Sequence, residues 1–105
     1  MNQSEVQQAI LQTIASVPKG RVCSYGMIAK LAGVPGQARY VGYLLKNLPD
    51  ATAIPWHRIV NSQGRSSFPV DSAQFTLQIS LLKSEDIIFT SDNAINLKKY
   101  LWLGC

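Results

Sequence analysis

The chain has 105 residues, 47% of them hydrophobic and 15% charged, with a net charge of +4: enough apolar surface for one core and too much for a disordered segment. No run of about 18 apolar residues occurs, and the start Asn2-Gln3-Ser4-Glu5 lacks the basic-then-apolar order of a signal peptide. A single soluble, cytoplasmic domain over residues 1–105 is expected, with no membrane partner. One histidine and two distant cysteines, Cys23 and Cys105, argue against a disulfide framework and against the usual ligand sets of structural zinc, so neither metal nor other cofactor is expected.

Ser4 followed by Gln7 predicts a capping box, after which Val6, Ala9, Ile10, Thr13, Ile14 and Val17 recur at helical spacing until Pro18-Lys19-Gly20 ends the pattern. Ser24 can cap a short helix through Leu31, with Ile28, Leu31 and Ala32 on one side. Gly33-Val34-Pro35-Gly36 makes a tight turn, and a second helix runs from about Gln37 to Lys46, so the pair reads as a helix-turn-helix. The stretch 48–68, with Pro49, Pro55, the turn Asn61-Ser62-Gln63-Gly64 and the β-favouring Ile59-Val60, predicts an ordered loop with a short strand. Asp71, with Gln74 three residues on, is the expected cap of a further helix whose core face carries Phe75, Ile79 and Leu82. Ile87-Ile88-Phe89 reads as a short edge strand, and Tyr100, Leu101 and Trp102 as a tail packed back on the domain. The expected fold class is mainly α with minor β, a winged helix-turn-helix-like domain.

Charge distribution supports a polyanionic partner. From Lys19 to Arg65 there are seven basic residues (Lys19, Arg21, Lys30, Arg39, Lys46, Arg58, Arg65) against one acid, Asp50. A solvated basic face with no partner is the plainer alternative. The second helix of a helix-turn-helix usually reads the major groove, but here it opens with Gly36, Gln37, Ala38 and Arg39. Small residues allow the close approach that a narrower minor groove demands, and only Arg39 could project far into a duplex. Packing of those small residues against another helix, with Arg39 a solvated cation, is the alternative.

The segment Pro55-Trp56-His57-Arg58-Ile59-Val60 resembles the active-site motif of the O6-alkylguanine-DNA alkyltransferases, which reads Pro-Cys-His-Arg-Val. Tryptophan stands here where that family holds its nucleophile, and an indole has no ionisable thiol to accept an alkyl group. This pattern is similar to that of the alkyltransferase-like proteins, which bind the alkylated base without repairing it. Val22-Cys23-Ser24-Tyr25-Gly26 and the residues through Gly33 look like the family's Ser-Tyr-Gly segment, so Tyr25 matches the tyrosine associated with rotating the nucleotide's phosphate. Gln37-Ala38-Arg39-Tyr40-Val41-Gly42 resembles the Ala-Arg-X-Val-Gly helix, which enters the minor groove, and Arg39 matches the arginine finger that fills the stack when a base is flipped. His57 and Glu85 match a histidine and a downstream glutamate that activate the family's cysteine. Without a thiol they have nothing to activate, and a buried pair that holds the pocket's shape is preferred.

The resemblance therefore implies a lesion pocket at Tyr25, Trp56, His57 and Val60, DNA contacts from Tyr25, Gln37, Ala38 and Arg39, and support from Arg58 and Glu85. It implies a monomeric, non-enzymatic protein that binds duplex DNA containing O6-alkylguanine, flips the lesion, and presents it to nucleotide excision repair proteins. It covers Val6 to Trp102, and the amino-terminal domain of many full-length alkyltransferases is not represented. Two departures stand out. Leu48 precedes Pro49 where the family usually has asparagine, Asn47 lying one place earlier, and Arg65-Ser66-Ser67-Phe68-Pro69-Val70 replaces a glycine-rich binding loop, which leaves room for larger adducts. An alkyltransferase that uses Cys23 and an operator-reading helix-turn-helix regulator are the rival functions.

Overall fold

Helix α1 (Gln3–Ala15) begins at Asn2, not at the expected Ser4-Gln7 box. The Asn2 side chain accepts from the Glu5 amide at 2.9 Å and donates to the Glu5 carboxylate at 2.8 Å, so an earlier Asn-x-x-Glu pair satisfies the first turn and leaves Ser4 and Gln7 exposed inside the helix. The computed structural model describes residues 2–49 and 51–104; Met1, Asp50 and Cys105 lie outside the described residues. Ile10, Ile14 and Val17 are buried, as the helical spacing implies.

Strand β1 (Cys23–Ser24) leads directly into α2 (Tyr25–Leu31), and Ser24 Oγ caps it by accepting from the Met27 amide at 3.1 Å. Its buried stripe is Ile28, Ala29 and Ala32; Leu31, expected on that side, is 37% exposed and lies beside Gly104. The helix ends on a left-handed Gly33 (φ +83°), with the Gly33 amide bonded to Lys30 O and the Val34 amide to Ala29 O, a closure that only glycine adopts without strain. Helix α3 (Ala38–Lys46) follows, with Gln37 as an N-cap that makes no side-chain capping bond. The α2–α3 pair is the helix-turn-helix.

Residues Trp56–Arg58 form a 3₁₀ turn that runs into β2 (Ile59–Val60), parallel to β1 with Cys23 opposite Ile59 and Ser24 opposite Val60. Alternation along these strands divides the interior. Cys23 and Ile59 join the helical core of α1, α2 and α3, whereas Val22 and Val60 join a second cluster with Leu82, Ile87, Ile95 and Tyr100.

Helix α4 (Ala73–Ser84) is capped by Ser72, not Asp71: the Ser72 hydroxyl donates to Pro69 O at 2.7 Å while accepting from the Phe75 amide at 3.1 Å. Leu82 is buried as expected, but Phe75 and Ile79 are half-buried and Gln78 takes the deepest place. Ile87-Ile88-Phe89 is not a strand. Ile87 turns into the second core and the Ile88 amide donates to the Tyr100 hydroxyl at 3.2 Å, which leaves a single bridge between Phe89 and Ile95. A short α5 (Leu97–Tyr100), not foreseen in the sequence, brings the tail back to β1, where Val22 pairs with Leu101.

Gly64 closes the turn after β2 with φ +78°, and a Cβ there would run into the Ile95 carbonyl oxygen. Gly64→Ala is therefore expected to destabilise the protein by about 2 kcal/mol or more, read as a lower urea midpoint at unchanged slope.

Candidate functional site

On the outer face of α3, Arg39 is exposed and makes no hydrogen bond or ion pair with another described residue. Gln37 is exposed beside it, and Ala38 is half-buried. Tyr25, at the start of α2, packs half-buried against the helical core, and with Ala38, Arg39, Gly42, Tyr43 and Phe68 it lines a cavity of ≈ 480 Å³. The structure thus brings together Tyr25, Ala38 and Arg39 as the sequence predicts, with Gln37 at the rim of the same helix.

Trp56 borders a second, adjoining cavity of ≈ 540 Å³ with Leu45, Leu48, Phe68, Pro69 and Leu77. One pocket floored by Trp56 and shared with Tyr25 was expected; instead Phe68 belongs to both walls. Its ring forms a T-shaped pair with Trp56, with centroids 5.8 Å apart and planes at 87°. Val60 does not line the pocket. It is 1% exposed and faces the second core, because β2 sends neighbouring residues to opposite sides.

The turn that carries Trp56 also holds a half-buried ionic cluster. His57 Nε2 approaches Glu85 Oε2 at 2.7 Å, while Arg58 donates from Nε to Oε1 at 3.0 Å and from Nη2 to Oε2 at 2.9 Å. The Gly20 amide adds a bond to Oε1 at 3.0 Å, and Arg58 Nη1 reaches Val17 O at 2.8 Å. Burial works against the charge on Glu85, but the bonds from Arg58, Gly20 and His57 outweigh it and hold its pKa down to about 2, from the ordinary 4.5. An ionised carboxylate only accepts, so His57 donates through Nε2.

Gln78 was missed in the sequence, although a polar residue on the apolar stripe of α4 was the available signal. Its Nε2 donates to His57 O at 3.1 Å and to Ile59 O at 2.9 Å, holding the middle and the C-terminal end of the turn that presents Trp56; its buried Oε1 has no partner among the described residues. Asn47, displaced from the family's position, C-caps α3 and donates to Tyr43 O at 2.7 Å.

Cys23 is fully buried, its Sγ is 3.6 Å from Trp102 O, and burial pushes its thiol up to about 11 despite a backbone bond at Ser24. A protonated, enclosed sulfur is a poor nucleophile. The other cysteine, Cys105, lies outside the described residues. Among the described residues no three His, Cys, Asp or Glu side chains gather to hold a metal, and no helix is long and apolar enough to cross a membrane.

A helix-turn-helix with Arg39 exposed beside an apolar cavity, next to a half-buried His57–Glu85–Arg58 cluster, defines a nucleic-acid-binding class of site. The chain belongs to the family described as the 6-O-methylguanine DNA methyltransferase DNA-binding domain, whose model matches residues 5–87. It is 43% identical to a DNA base-flipping protein of Vibrio parahaemolyticus over 97% of this chain and 98% of that protein. It is 36% identical to alkyltransferase-like protein 1 of Schizosaccharomyces pombe, over 97% of this chain and 98% of that one. A crystal structure of S. pombe Atl1 in complex with damaged DNA containing O6-carboxymethylguanine superposes with a TM-score of 0.86 at 35% identity, covering 97% of this chain and 98% of that chain.

The depressed pKa of Glu85 makes stability acid-sensitive. Its contribution is complete above about pH 4.5 and is lost as pH falls toward about 2, an effect of up to about 3 kcal/mol. Urea titrations from pH 6 to 2.5 should show this loss, and Glu85→Gln, already destabilised at pH 6, should show a flatter profile.

Proposed function

We propose that the protein recognises O6-alkylguanine in duplex DNA and flips it out of the stack without transferring the alkyl group. The observation that carries this is Trp56 at the nucleophile's position, with the His57–Glu85–Arg58 cluster intact beneath it and apolar cavities opening on either side of Phe68. Helix α3 lies in the minor groove, where the small Ala38 lets the backbone approach, and Arg39 fills the vacated stack. The extruded base enters beside Tyr25 and turns its O6 substituent toward Trp56. The S. pombe complex with damaged DNA supports this ligand. It transfers nothing, since an indole is no acceptor and Cys23 is enclosed. Binding without repair is useful when other proteins remove the lesion, which favours a handover to nucleotide excision repair by a monomer acting in the cytoplasm on chromosomal DNA.

A duplex bearing O6-methylguanine should bind more tightly than its unmodified twin, and the intact mass of the protein should be unchanged afterwards. A stoichiometric gain of one methyl group would establish an alkyltransferase instead, and equal affinity for the two duplexes would favour a sequence-reading regulator. Arg39→Ala should weaken lesion binding by about 1–3 kcal/mol, the range for one specific base-level contact, and Arg39→Lys should recover little of it. Full recovery by lysine would reduce Arg39 to a phosphate contact.

Trp56 supplies an optical test. Lesion DNA should change the tryptophan fluorescence of the wild type, and most of that change should vanish in Trp56→Phe, where Trp102 remains. A response that survives there and disappears in Trp102→Phe would put the bound base elsewhere.

A further inference from the structure

Between the two cavities, Leu45, Lys46 and Phe68 are the shared wall. The first two sit on α3, whose position is fixed by buried Val41 and Leu44. Phe68 belongs to a segment without helix or strand between β2 and α4, is only half-buried, and has its amide held by Ser66 Oγ at 3.2 Å. It is the member of the partition that can yield. Beyond it, next to Trp56, the second cavity is walled mainly by Leu48, Pro49, Pro69 and Leu77, with Thr52, Ser72 and Gln74 as its neutral polar members, and Lys46 is the only charged residue among the described residues of its lining. Such a space suits an uncharged, apolar group.

We propose that Phe68 is a specificity-determining residue that sets the size of the adduct the pocket accepts. With the ring in place, a small O6-alkyl group packs against Phe68 on the Tyr25 side. A bulky apolar substituent must push the ring aside, after which the cavities are continuous and the substituent runs along Trp56 toward Leu48 and Leu77. The assignment rests on the lesion-binding function proposed above.

Anisotropy titrations with duplexes bearing O6-methylguanine, O6-benzylguanine or guanine at one position test it in the wild type, Phe68→Ala and Phe68→Trp. Phe68→Ala should bind the methyl lesion more weakly and the benzyl lesion more tightly, raising the benzyl-to-methyl affinity ratio about tenfold, a usual yield of an apolar pocket for a modest change of size. Phe68→Trp should move the ratio the other way, and it decides the matter if Phe68→Ala has lost its melting transition. A ratio unchanged in the folded variants, with the wild type still preferring both lesions over guanine, would overturn the role of Phe68 and leave lesion recognition standing. A wild type that prefers neither lesion would overturn lesion recognition itself.

Discussion

The Glu85 carboxylate is the point on which the geometry of the site depends. It lies at the C-cap of α4 and gathers donors from the 3₁₀ turn (His57 and Arg58) and from the approach to β1 (Gly20), while Arg58 extends the connection to the end of α1 through Val17 O. The turn that carries Trp56 has little backbone bonding of its own, chiefly Trp56 to Ile54 O and Arg58 to Pro55 O. Its position therefore comes from the carboxylate beneath it and from Gln78. A buried ion pair adds little net stability over apolar packing, yet removing one partner typically costs about 3–5 kcal/mol because the other charge is stranded. The cluster acts as a geometric constraint more than as a source of stability. This constraint is sufficient to explain why the histidine and carboxylate are held together in a site whose turn carries Trp56 and no thiol.

The same cluster redistributes the charge that the sequence presents. Of the basic residues between Lys19 and Arg65, Arg58 is committed to Glu85 and cannot meet a phosphate. Arg65 is paired with Asp92 at 3.4 Å on the exposed surface, a contact of small energy, and Arg21 donates to Lys99 O. Lys19, Lys30, Arg39 and Lys46 remain as exposed cations without such contacts to other described residues. The surface available to DNA is consequently narrower than the count of charges suggests, and it is concentrated on the helix-turn-helix.

Regularity explains what was legible in the sequence. The helices of the helix-turn-helix follow from apolar spacing and from glycines with positive φ, and the family motif located Trp56, His57 and Glu85 together. Misplaced caps have a local cause: Asn2 and Ser72 compete with Ser4 and Asp71 within two residues, and only the chain's entry path decides between them. Long-range contacts were invisible for a different reason. Val60 turns inward because of its pairing with Ser24, Ile88 loses a strand partner to a hydroxyl twelve residues away, and Phe68 matters because its loop returns over Trp56. None of these leaves a periodic trace. Gln78 did leave one, as a polar residue on an apolar stripe, but its partners His57 and Ile59 lie across the core.

Selectivity for an alkylated base has two physical sources in such a site, and their magnitudes can be compared. Burying one methyl group against Phe68 gains about 0.8 kcal/mol, roughly a fourfold preference, whereas a benzyl group gains several times that. Extrusion of any base costs a few kcal/mol of stacking and pairing, and this cost is lowest for a damaged base whose pairing is already weak. For a methyl lesion the weakened pair must therefore supply a large share of the discrimination, with the apolar pocket adding a modest increment. For a bulky lesion the balance reverses, and contact with Trp56 and the cavity beyond Phe68 becomes the larger part. A tryptophan at this position thus does more than leave the site without a thiol: it lines the cavity beyond Phe68 with apolar surface whose contribution grows with the size of the damage.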